Sequence, residues 1–137
     1  MLKLKLIASV LLSGVVLLLL SAAMFVVSAH IFPAVTQEYL GSVFRTAGKT
    51  DWMYYVHPFI VSIALKWFWE RYKAILPGSF LLRALEVAVV YGVVALVPVL
   101  WLTFSAMDVS LPMIITWLAY GLIQAFAAGA IFAKLNP

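Results

Sequence analysis

The chain contains no cysteine, which removes disulfides, thiol redox chemistry and thiolate metal sites at once. Charge is nearly as scarce. Asp, Glu, Lys and Arg make up 10% of the 137 residues, against ~25% in an ordinary soluble domain. There is no glycine-rich phosphate loop and no nucleophile elbow. With two histidines in the chain, neither His-x-x-His nor His-Glu-x-x-His occurs. These absences leave catalysis without footing, so no enzyme, cofactor or metal is expected. The formal net charge of +4 is compatible with nucleic acid binding, but the basic residues cluster beside hydrophobic runs, where membrane topology accounts for them.

What the chain has in abundance is apolar sequence: 66% hydrophobic residues and a mean hydropathy of +1.14. It falls in four blocks, at about 6–28, 52–69, 83–104 and 112–133. Each is long enough to cross the ~30 Å hydrocarbon layer as a helix. Unbroken runs without period-two alternation argue for helices rather than a barrel. The predicted fold is all-α, a four-helix transmembrane bundle forming a single integral membrane domain over 1–137.

The first block follows a basic start at Lys3 and Lys5, and Val27-Ser28-Ala29 offers small residues suitable for signal cleavage. A signal h-region runs ~7–15 residues, and this block is longer, so an uncleaved span is expected. Gly14, Ser21 and Ser28 form a thin small-residue seam along it. Pro33 closes it. In the loop that follows, Val35, Tyr39, Val43 and Phe44 lie at helical spacing opposite Gln37, Glu38 and Arg45. That pattern predicts a short amphipathic helix on the membrane surface, ended by Gly48 with Lys49-Thr50-Asp51 as a turn.

The second block carries aromatic belts at both ends, Trp52, Tyr54 and Tyr55 at one and Trp67, Trp69 and Tyr72 at the other. A basic hairpin from Lys66 to Glu86, turning at Pro77-Gly78, leads to the third block. There Ala84, Ala88 and Gly92 make a close-packing stripe, and Pro98 should bend the far end. Ser110 can cap the fourth block, with Pro112 in its first turn; Gly121, Ala125 and Gly129 form a second stripe. Four spans put both termini on the side of the hairpin. That side collects Lys3, Lys5, Lys66, Arg71, Lys73, Arg83 and Lys134, seven of the nine basic residues, leaving Arg45 and Lys49 opposite. The positive-inside rule then makes the hairpin and both termini cytoplasmic.

The run Ser110-Leu111-Pro112-Met113-Ile114-Ile115-Thr116-Trp117, with Gly121-Leu122-Ile123-Gln124-Ala125 and Ala133-Lys134-Leu135-Asn136 after it, resembles the tail of small four-span bacterial membrane proteins. Tyr55-Val56-His57-Pro58-Phe59-Ile60 and the Trp-rich end of the second block resemble their middle. That group carries no established activity, so the likeness, over residues 52–136, implies a fold and a bacterial inner-membrane location but no function.

A few polar residues merit attention. Glu86, on a face assigned to Arg83 and the small-residue stripe, is expected to point inward and to form an ion pair with Arg83 or Lys66. Its rival role is a proton-trading carboxylate in a small transporter or channel subunit. Gln124, with Thr116 and Tyr120 on one face, reads as an interhelical hydrogen-bonding group, or else as part of a polar path. His30 and His57, toward the outer leaflet, are possible ligands for a haem, or with Asp51 or Asp108 for a metal, but interfacial hydrogen bonding is the simpler role. The expected function is packing with a second copy or another membrane protein, within the lipid bilayer.

Overall fold

A computed structural model describes residues 2–45 and 51–137, the side chains of Leu2 and Lys3 excepted. Gly48, Lys49 and Thr50, the expected end of the surface helix, and the Lys3 side chain lie outside the described residues. The described chain is helical throughout: α1 (Leu2–Ile31), α2 (Pro33–Glu38), α3 (Trp52–Tyr72), α4 (Phe80–Tyr91), a π-helical segment (Gly92–Leu96), α5 (Val97–Ala106) and α6 (Leu111–Leu135). Three stretches are long and apolar enough to cross a membrane: Leu4–Ile31, Phe80–Ala106 and Leu111–Leu135, with mean hydropathies of 2.8, 2.3 and 1.7. Helix α3 has the length, 21 residues, but not the composition. Its aromatic ends, His57 and Lys66 dilute the apolar run.

Local chemistry sets the boundaries. Ser110 Oγ accepts from Met113 N at 3.3 Å and caps α6, whose first turn holds Pro112. Ser79 caps α4. Between α3 and α4 the chain turns through Gly78 at φ 88°, a left-handed conformation that glycine adopts without a Cβ penalty. Pro98 leaves the carbonyl one turn earlier without a donor and crowds it. The backbone responds upstream, in the wider turn Gly92–Leu96, where Val97 N donates to Gly92 O. The expected disturbance from Pro98 is therefore a π-turn on its N-terminal side.

Helix α6 sits at the centre. It packs antiparallel to α4 on one side and to α1 on the other, while α3 packs mainly on α1 and more lightly on α6. The two small-residue stripes meet. A Cβ on Gly129 would lie 3.0 Å from Ala84 Cα and 3.2 Å from its carbonyl oxygen. Farther along the same seam, Gly92 faces Leu122 and Gly121 faces Leu96. Ala84, Ala88, Ala125 and Ala128 are buried there. Although consecutive in sequence, the backbones of α3 and α4 scarcely approach one another.

The loop helix differs from expectation. It has six residues, and Val35 is buried against Val109 and Met113, with Tyr39 and Phe44 packed on the same cluster. Tyr39 and Phe44 stack near Trp117. Their apolar face is turned onto the start of α6, so the segment closes the end of the bundle.

The α4–α6 seam generates a ranked prediction. Gly129→Val should cost about 1–3 kcal/mol as overpacking, because the obstacle is Ala84 backbone. Gly92→Ala should cost less, since the Leu122 side chain can swing away. Thermal unfolding in mild detergent checks the order; equal losses would mean the Gly129 contact is not limiting.

Candidate functional site

The densest polar constellation lies where α3, α4 and the end of α6 converge beneath the hairpin. Lys66, Glu70 and Lys73 share one face of α3 at i, i+4 and i+7. Lys66 is 2% exposed, and its Nζ lies 2.9 Å from Glu70 Oε1. That is ion-pair distance, although off the line of a good hydrogen bond. Its ammonium also sits 4.9 Å from the centre of the Phe132 ring. Glu70 is the single carboxylate of the cluster, with Lys73 Nζ 3.6 Å from its second oxygen.

Asn136 ties the end of α6 into this arrangement. Its amide nitrogen donates to Glu70, its side-chain oxygen accepts from Lys73 Nζ at 3.1 Å, and its backbone carbonyl accepts from Trp69 Nε1 at 2.8 Å. Trp69, fully buried, is overlaid by the Arg83 guanidinium at 4.6 Å. Arg83 Nη2 in turn donates to the Lys73 carbonyl at 2.8 Å, straddling the hairpin. One acid among three bases ties the helix ends together.

Glu86 does not join. It is exposed, in a shallow depression with Pro77, Gly78, Leu82, Leu85 and Val89, and no ion pair links it to Arg83 or Lys66 among the described residues. The reason is helical phase. Ala84 and Ala88 face α6, and Glu86 is two residues from each, roughly 200° around the helix. The stripe that was expected to carry it inward turns it outward. The counter-ion of Lys66 is Glu70, whose i, i+4 spacing was the available signal in the sequence.

Gln124 is 5% exposed and donates through Nε2 to Ser21 Oγ at 2.6 Å; Ser21 donates onward to Leu17 O at 2.9 Å. Tyr120 OH and Ser28 Oγ are 2.6 Å apart. Both bonds join α6 to α1. Ser62 Oγ reaches Val10 O at 2.8 Å, joining α3 to α1. Thr116 bonds its own helix at Pro112 O and lies near solvent-facing surface, so it extends no polar path. His30 Nδ1 contacts Val26 O at 2.8 Å on its own helix, and no hydrogen bond brings His57 to it. Among the described residues no three His, Asp or Glu gather as a metal site.

The opposite end is aromatic. Trp117 Nε1 donates to Tyr39 OH at 2.5 Å, and Glu38 Oε2 accepts from Ser110 N at 3.1 Å. Burial raises the Tyr39 pKa, with the Trp117 bond opposing the shift; the hydroxyl stays neutral at physiological pH.

No protein family, curated protein or solved structure matches this chain.

The charged cluster predicts an asymmetry between two glutamates. Glu70→Gln should cost about 3 kcal/mol, because it leaves the buried Lys66 ammonium with only the Phe132 ring as partner. Adding Lys66→Met should recover most of it. Glu86→Gln should leave stability unchanged within ~0.5 kcal/mol. A double-mutant cycle by detergent melting reads all of these; simple additivity of the Lys66 and Glu70 changes would remove the pair.

Proposed function

We propose that the chain is an integral protein of the bacterial inner membrane with four spans and both termini cytoplasmic. We propose further that it acts by lateral packing with a second copy or another membrane protein. The carrying observation is an inverted distribution of side chains. Ser9, Ser13, Ser21, Ser28, Ser62, Lys66 and Gln124 are buried, while Trp101, Leu102, Val93 and Val94 are each about two-thirds exposed or more. Such a surface suits lipid or an apolar partner. Ser28, Ser62 and Gln124 inside bond across helices, and what the molecule presents outward is apolar surface and a basic rim.

Helix α3 is included because it runs alongside α1, with Ser62 bonded to Val10 and Phe59 lying over Gly14. A helix packed antiparallel along a span shares its depth. The same contacts support keeping the first span in the mature protein, since α1 supplies Leu17 to the core. A transport role resting on Glu86 and Gln124 finds little support: one carboxylate faces outward and the amide is held by Ser21.

Two measurements test this reading. With no native cysteine, Leu40→Cys and Ile75→Cys, at positions 80% and 75% exposed, report topology directly. An impermeant thiol reagent outside intact cells should label position 40 and spare 75; the reverse pattern refutes the orientation. A photo-crosslinking residue at Trp101 should give a discrete protein adduct, of a second copy or of a partner. Adducts to lipid alone would refute lateral packing through that face.

A further inference from the structure

Because α3 and α4 diverge from the hairpin, a groove of about 580 Å³ opens between them. Ala64, Trp67 and Tyr72 line one wall, Val87, Tyr91 and Val94 the other. The lined stretch spans eight residue steps on each helix, about 12 Å at 1.5 Å per residue. The groove walls are apolar side chains, so it suits an apolar chain.

Its hairpin end is basic. Arg71 is exposed and lies over the groove-lining Trp67 at 5.4 Å. Arg83 precedes Val87 by one turn on the same side of α4, and its Nε is buried without a hydrogen-bond partner. No carboxylate pairs with either arginine among the described residues; Glu70 is engaged by Lys66, Lys73 and Asn136. An apolar channel whose hairpin end carries two guanidinium groups without a carboxylate partner, Arg71 exposed and Arg83 held by the Lys73 carbonyl, is complementary to a molecule with an acyl chain and an anionic head.

We propose that this groove binds one anionic phospholipid, with an acyl chain between α3 and α4 and its phosphate against Arg71 and Arg83. The proposal rests on the reading that α3 lies in the bilayer. Annular lipid exchanges without regard to headgroup. A lipid held here is selected by charge and stops the V between the helices from collapsing.

The test is native mass spectrometry of the full chain in mild detergent, equilibrated with phosphatidylglycerol and phosphatidylcholine of identical acyl chains. The expected result is one retained phosphatidylglycerol, preferred about tenfold. Ala64→Trp, at an exposed position on the groove wall, should abolish retention. Arg71→Gln, also exposed, should lower the preference on its own, and adding Arg83→Gln should erase it. Equal retention of the two lipids, retention undiminished by Ala64→Trp, or a second copy bound in the groove and lost in that variant each overturns the proposal. Ala64→Cys separates the underlying reading. Labelling by a water-soluble maleimide in sealed vesicles overturns the placement of α3, and the lipid site with it. Protection from labelling without headgroup preference overturns the lipid site alone.

Discussion

In lipid, a leucine gains little by leaving the solvent for the protein interior, so close approach and interhelical hydrogen bonds have to hold helices together. Helix α6 is where both are concentrated. On one side Gly129 lets the backbone of α4 come within van der Waals reach at Ala84. On the other, Gln124 and Tyr120 bond to Ser21 and Ser28 of α1. The two modes are separated by helical phase, small residues toward α4 and hydrogen-bonding residues toward α1. Helix α3 is attached through α1 and through the end of α6. Remove α6 and the α1–α3 contact is the main one left between the long helices.

That dependence explains the charged cluster. Lys66 is buried at the level where α3 leans on α6, and a lone ammonium there is costly. Glu70 follows one turn later, and the Phe132 ring of α6 supplies a second, softer partner. Asn136, just past the last turn of α6, then uses its amide and carbonyl to tie Glu70, Lys73 and Trp69. The chain's final turn is thereby a structural part of the hairpin two helices upstream.

Much of this was legible in the residues, for reasons that can be named. Stripes of small residues at every fourth position are visible in any helix, and along the α4–α6 contact Gly129 lies against Ala84 while Gly92 meets Leu122 and Gly121 meets Leu96. Pro33, Gly78 and Ser110 mark boundaries by local chemistry alone. Glu86 is decided by phase: nearness in sequence to Ala84 and Ala88 is not membership of their stripe, since two residues along a helix is nearly the opposite face. The closing of the loop helix onto Met113 and Trp117 was hidden because an amphipathic pattern states that one face is apolar, not whether lipid or protein covers it. The long-range ties of Asn136 had no signal at all, since a terminal asparagine has no periodicity.

The divergence of α3 from α4 was also invisible, yet it follows from the same constraint. A tight hairpin ordinarily sets its two helices side by side. Here the face of α4 carrying Ala84 and Ala88 belongs to α6, and the face of α3 carrying Ser62 belongs to α1, so each helix has its close-packing surface turned from the other. What they present between them is bulky: Trp67, Phe68 and Tyr72 against Val90, Tyr91 and Val94. Neither side offers a stripe that permits close approach. Arg83 compounds the effect by filling the vertex, stacked on Trp69 and bonded to the Lys73 carbonyl. Helices that are adjacent in sequence but committed to different neighbours must leave a gap, and in a bilayer lipid fills such a gap at little cost.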